Sequence, residues 1–238
     1  MKICIITGPR RINYQDEQLV RAVVREIIAR GYTIYACDAN GVDEVAWTVA
    51  REESDRCSIG LYERFCPRPE LGRTAQGLAE RSTRMVKEAL RDTRFDNDGN
   101  EFCDVDPDGV ICIGFPNKPC PAGIVPAKSW RSGNDEGSGT WSTIALCVGH
   151  EIETWVIPLV PKPGKFSEKS WAGPFHEWRD IAPWGSLQWN CFTSDYCAWH
   201  FAPALQRDIF TDAGHEALVS AMRGPLPTYE ESLKFFQK

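Results

Sequence analysis

Gly109-Val110-Ile111-Cys112-Ile113-Gly114-Phe115-Pro116, followed after an interval by Gly137-Ser138-Gly139-Thr140, is the stretch that decides the fold. The first piece is an apolar run of strand length. The second is a glycine-rich turn that opens a helical stretch, Thr140–Gly149. The first amides of a helix have no intrahelical acceptor, so they face outward with partial positive charge. Glycines let an anion approach those amides closely, and the Thr140 hydroxyl adds a donor. Gly/Ser turns are common, so the turn by itself does not define a phosphate site.

Working outward, the first two-thirds of the chain alternate short apolar runs with amphipathic stretches. Lys2–Thr7 reads as a buried strand. Leu19, Val20, Val23, Val24, Ile27 and Ile28 recur at helical spacing, with Gly31 as the stop. Thr33–Cys37 is a second strand, Val42–Arg51 a second helix, and Cys57–Tyr62 a third strand. Ala75–Leu90 is a third helix striped by Leu78, Met85, Val86, Ala89 and Leu90. Val110–Phe115 is the fourth strand, and Thr154–Leu159 follows the next helix as the fifth. This alternation predicts an α/β, Rossmann-like fold: a mainly parallel sheet with helices on both faces. Right-handed crossovers place the strand-to-helix loops along one sheet edge, where such proteins bind ligands.

Two segments interrupt the pattern. Asp92–Asp108 is acidic and holds Asp96-Asn97-Asp98-Gly99-Asn100 between Phe95 and Phe102. A calcium loop needs a carboxylate two positions before Asp96, where Arg94 stands, so a hairpin tip is expected. Asn117–Glu136 is too long for an ordinary connection and suggests a lid or binding loop carrying Lys118, Lys128 and Arg131.

Pro161, Pro163 and Gly164 mark a boundary, dividing a domain over 1–160 from an aromatic-rich C-terminal extension over 161–238. The extension carries Trp171, Trp178, Trp184, Trp189 and Trp199, with helices expected around Asp212–Arg223 and Thr228–Phe236. Its tryptophans are expected to pack on the core or on a partner subunit, stacking on a nucleobase being the alternative. Cys191, Cys197 and His200 could supply zinc ligands, but the paired spacing of structural zinc sites is missing and no fourth ligand stands out. No metal and no resident cofactor are expected.

The formal charge of -6 argues against a broad nucleic-acid surface, while leaving room for a local basic pocket. No apolar run approaches membrane-spanning length, and the start lacks the pattern of a secretion signal. Cys4, Cys37, Cys112 and Cys147 lie in apolar runs, as reduced thiols do. A cytoplasmic protein is therefore expected.

Four landmarks fall in one order: Thr7-Gly8-Pro9-Arg10 after the first strand, Gly41-Val42-Asp43-Glu44-Val45-Ala46 after the second, Arg81-Ser82-Thr83-Arg84-Met85 in the third helix, and Phe115-Pro116 followed by Gly137-Ser138-Gly139-Thr140. Over roughly Met1 to Pro161 the chain resembles the SLOG superfamily, the Rossmann-like group that includes DprA-type and Lonely Guy proteins. The likeness is to its YspA-like branch. The resemblance implies a pocket for a phosphoribosyl or nucleotide moiety at the strand C-terminal edge. Gly8 and Arg10 would line its floor, and Gly41 and Asp43 would meet the sugar or base. Arg81 would reach phosphate or ribose, and Gly137, Ser138, Gly139 and Thr140 would hold phosphate. Homo-oligomers are common among such relatives and are expected here.

The residue chemistry fits this casting. Arg81 can fork two charge-assisted hydrogen bonds onto phosphate, or simply face solvent on its helix. Asp43 can accept from ribose hydroxyls, or stabilise a helix start. Where Lonely Guy phosphoribohydrolases place a glutamate after the threonine turn, this chain has Thr143. Glu80, Asp43, Asp135 and Glu136 are the candidate substitutes for that acid. Three functions therefore stand. The first is a binding protein for a nucleotide-derived small molecule, a sensor or sponge, including a phage anti-defence scavenger of NAD-derived or cyclic nucleotide second messengers. The second is an N-glycosidase or phosphoribohydrolase. The third is DprA-like DNA binding, which the acidic balance opposes and which salt-dependent oligonucleotide binding would reveal.

Overall fold

A computed structural model describes residues 2–57, 60–90, 93–95, 101–103, 109–131, 138–159, 183–185, 188–191 and 197–203 of the chain. Strands β1 (Lys2–Thr7), β2 (Tyr32–Cys37) and β3 (Tyr62–Phe65) alternate with helices α1 (Tyr14–Ala29), α2 (Val42–Cys57) and α3 (Ala75–Ala89). A short hairpin of β4 (Thr93–Phe95) and β5 (Glu101–Cys103) follows. Then come β6 (Val110–Gly114), α4 (Gly139–Gly149), β7 (Glu153–Val156), β8 (Gln188–Cys191) and β9 (Cys197–Phe201). The main sheet has the order β3-β2-β1-β6-β7-β9-β8. Its first five strands are parallel neighbours, whereas β9 runs antiparallel to both β7 and β8. This is the expected mainly parallel α/β sheet.

Alternation along β1 sorts the two faces. Cys4 and Ile6 pack with Leu19, Val20, Val23 and Val24 of α1 and Val42, Ala46 and Val49 of α2. Ile3 and Ile5 point the other way, onto Met85, Val86 and Ala89 of α3 and Leu146 and Cys147 of α4. Strands β1 and β6 are covered on both sides, which is why they read as unbroken apolar runs. Caps fix the helix starts: Asn13 accepts from the Asp16 amide, and Thr74 from that of Gly77. Among the described residues, no helix is long and apolar enough to cross a membrane.

Several boundaries differ from expectation. Helix α2 runs on to Cys57, so the third strand is Tyr62–Phe65 rather than Cys57–Tyr62. Strand β3 lies at the sheet edge with Glu63 and Arg64 exposed, and an edge strand carries no continuous apolar run to announce it. Strand β7 is Glu153–Val156, although the Ile157 and Leu159 amides still bond Gly114 and Pro116 carbonyls. The hairpin expected around Asp96–Asn100 has its arms paired, with its tip outside the described residues.

The extension contributes two strands that the sequence reading did not anticipate. Trp184 and Trp199 bury themselves with Trp141 of α4, at ring separations of 5.7 and 6.1 Å. Trp171, Trp178 and the two helices expected near the C-terminus lie outside the described residues.

Candidate functional site at the sheet edge

The chain steps from β1 outward through β2 to β3, then returns to the other side of β1 for β6 and β7. The strand order therefore reverses between β1 and β6. Their C-terminal ends are tied where the Phe115 amide donates to the Thr7 carbonyl at 2.9 Å. At such a reversal neighbouring loops diverge to opposite faces and leave a crevice, the usual ligand position in open α/β sheets.

Helix α4 starts on the β6 side of this edge. Ser138 is its N-cap, and its hydroxyl accepts from the Trp141 amide at 3.4 Å while its carbonyl accepts from Ser142 at 2.8 Å. Among the described residues, the Gly139 and Thr140 amides and the Thr140 hydroxyl have no hydrogen-bond partner. Among the described residues, a Cβ built on Gly139 would meet nothing within 4 Å. Gly137 lies outside the described residues, as do Asp135 and Glu136. Thr143, the position of the missing glutamate, is buried and donates back to the Gly139 carbonyl at 2.9 Å.

On the other side of the edge, the β1–α1 loop and the start of α2 are pressed together. Gly41 has φ +80°, and the Val42 amide donates to the Pro9 carbonyl at 3.2 Å. A Cβ on Gly8 would fall 2.4 Å from the Val42 side chain and one on Gly41 2.3 Å from the Pro9 carbonyl oxygen, so both positions require glycine for close packing. Asp43 is buried in the first turn of α2. Its carboxylate accepts from the Gly8 amide, yet its Oδ1 has no partner. Burial pushes this carboxyl up to about 8, against the opposing pull of Arg81, the Gly8 amide and Arg10. Cys37 beside it is held as a thiol, its pKa raised to about 12 chiefly by burial and then by Asp43.

Arg81 is buried, and its guanidinium donates to Asp38, the residue that follows β2. Arg73, from the loop before α3, donates to the other Asp38 oxygen at 2.6 Å. The Arg81 Nε is left without a partner. Arg81 thus reaches the edge already paired to a carboxylate. Asp38 and Arg73 were not singled out from the sequence. A lone acid ending the apolar run Tyr32–Cys37 is the signal that a cation must meet it; Arg73 carries no such signal.

Other expected residues lie elsewhere. Glu80 pairs with Arg68 at 3.1 Å and with Arg84. The segment after β6 packs lengthwise along α4, with the Lys118 carbonyl on the Trp141 indole at 2.9 Å and the Ala127 amide on Ala145 at 3.3 Å. Lys128 acts on His150, the C-cap of α4, so it sits at the end of the helix away from Gly139. Arg131 is exposed. His200 bonds Glu153 at 3.2 Å and stacks on Trp155 at 3.8 Å, and no described group of three or more His, Cys, Asp or Glu could hold a metal.

The Asp43 shift has a consequence for stability. With the folded value above the unfolded one, the native state keeps a proton that the unfolded chain releases between about pH 4 and 8. This contribution is complete below the unfolded value and is lost as pH rises to about 8. Unfolding free energy should fall across that window by up to about 1.4 kcal/mol per pH unit. Asp43→Asn should flatten the profile, as read by urea unfolding at several pH values. An unaltered slope in the variant would remove Asp43 as its source.

No protein-family model matches the chain, and no curated protein or solved structure does so.

Proposed function

We propose that this protein binds a nucleotide-derived small molecule containing phosphoribose, as a sensor or a sequestering sponge. One observation carries the reading: the Gly139 and Thr140 amides, without a partner among the described residues, start α4 at the sheet edge whose other side holds the buried Asp43. An anion at the α4 N-terminus would satisfy donors that have no partner among the described residues. Asp43, a neutral acid at pH 7, could both donate to and accept from a sugar hydroxyl. Arg10 and the Arg81–Asp38 pair would complete the wall, and Gly8 and Gly41 would hold the two loops in place. The resemblance to YspA-like SLOG proteins supports the same assignment. A cytoplasmic homo-oligomer that scavenges NAD-derived or cyclic nucleotide signals in phage–host conflict is the biological setting we propose.

The direct test is to denature the purified protein and weigh what is released. Recovery of an intact nucleotide near one per site is the expected result. Gly139→Val should remain folded and lose the ligand by about 100-fold or more, since it obstructs two hydrogen bonds to an anion worth about 1.5 kcal/mol or more each. Retained affinity in a folded Gly139→Val protein would remove the phosphate from the α4 terminus.

The Asp43 environment favours a second reading, N-glycosidic hydrolysis. A carboxyl tuned close to the working pH is suited to general acid–base catalysis. Asp43 would protonate the leaving base as the C1′–N bond breaks; water would supply hydroxyl to C1′ and return a proton to the carboxylate. Free base and ribose phosphate accumulating with time, and absent with Asp43→Asn, would favour this reading over simple binding.

A further inference from the structure

The arginines at the β2 end point to a second anion subsite. Asp38 is 4% exposed and receives Arg81, 7% exposed, and Arg73, which is 66% exposed although its Nη2 lies 2.6 Å from Oδ2. One carboxylate therefore faces two guanidinium groups. Arg10 is exposed and close enough to act on Asp43, and it has no ion-pair partner among the described residues. Three guanidinium groups thus stand near two carboxyls, Asp38 and Asp43, in a chain whose formal net charge is -6. The three outnumber the two acids, and burial, which raises the Asp43 carboxyl, adds to that surplus. Like charges gathered in this way raise the local concentration of anions and favour their binding. Arg73 is the accessible member: it is anchored by one nitrogen and has the rest of its planar fork available.

The subsite is separate from the α4 terminus. Strands β2 and β6 flank β1 on opposite sides, so their ends stand about 10 Å apart at the usual strand spacing. One phosphate cannot reach both places, whereas two phosphoryl groups joined through a sugar can. Resting on the proposed phosphoribose reading, we infer that the ligand carries two separated phosphoryl groups, one at the α4 N-terminus and one on Arg73 and Arg10. Asp38 then serves as the internal anion that holds Arg73 ready over the edge while no second phosphate is bound.

Titration calorimetry with ribose 5-phosphate and ribose 1,5-bisphosphate, on the full chain and on Arg73→Gln, tests this. The full chain should prefer the bisphosphate by at least 10-fold, and Arg73→Gln should bring the ratio to about one. A ratio near one in the unsubstituted protein, or a preference that survives Arg73→Gln, overturns the second subsite while leaving the first reading intact. Absence of binding by either sugar phosphate overturns both. Circular dichroism of Arg73→Gln separates a lost subsite from a lost fold, and Arg10→Gln provides a second variant that should lower the same ratio.

Discussion

Gly41→Val is expected to lose at least about 3 kcal/mol of folding stability, enough to leave a marginal domain unfolded. The backbone at Gly41 has φ +80°, a left-handed conformation that disfavours any L side chain by about 1–2 kcal/mol. Steric overlap adds to this. A Cβ there would stand 2.3 Å from the Pro9 carbonyl oxygen and 2.6 Å from the Arg10 carbonyl carbon. Both obstacles are backbone, so no side-chain rotation relieves them. Moving the loop would break the Val42-to-Pro9 hydrogen bond and pull Gly8 away from Asp43. Urea denaturation should show the loss directly. Gly139→Val is the matched control, because a side chain there enters open space and should change stability by less than about 1 kcal/mol. Similar midpoints for the two variants would mean that the β1–α1 loop yields freely.

Arg81→Ala should destabilise the protein by about 3–5 kcal/mol, the scale of removing one partner from a buried ion pair. Its guanidinium is the buried counter-charge of Asp38, and losing it leaves that carboxylate to the exposed Arg73 alone. Arg73→Ala should lose under about 1 kcal/mol, since its own side chain is largely in solvent. Asp38→Asn placed in the Arg81→Ala background should recover part of the loss, because no charge then remains buried without its partner. A double-mutant cycle in urea reads the coupling. If Arg81→Ala and Arg73→Ala prove equally mild, Arg81 is not the structural counter-ion of Asp38.

Much of the architecture was legible because the central parallel strands are covered on both faces and so must be apolar along their length. Lys2–Thr7 and Val110–Gly114 are of this kind, and their alternation with amphipathic helices dictated the parallel order. Glu63 and Arg64 made β3 illegible for the converse reason: an edge strand has solvent on one side. Strand β9 was hidden differently. Within Cys197-Ala198-Trp199-His200-Phe201 the sequence offers Cys197 and His200 as zinc candidates, yet Ala198 and Trp199 are core and His200 is bound to Glu153. Only the sheet, by bringing Glu153 of β7 beside β9, accounts for that histidine.

Parallel strands put the loops that follow them at one sheet edge, so the motif order places Gly8, Gly41, Asp43 and Thr140 there, whereas Arg81 lies within α3 and meets that edge through Asp38. What sequence could not determine is which charges meet. Arg81 spends its guanidinium on Asp38, 43 positions away, and Arg73 joins it from a loop without a recognisable pattern. Ion pairing and burial depend on distances between residues remote in the chain, and folding alone sets those distances. The protonation of Asp43 belongs to the same class, since exclusion of water by the surrounding elements decides it.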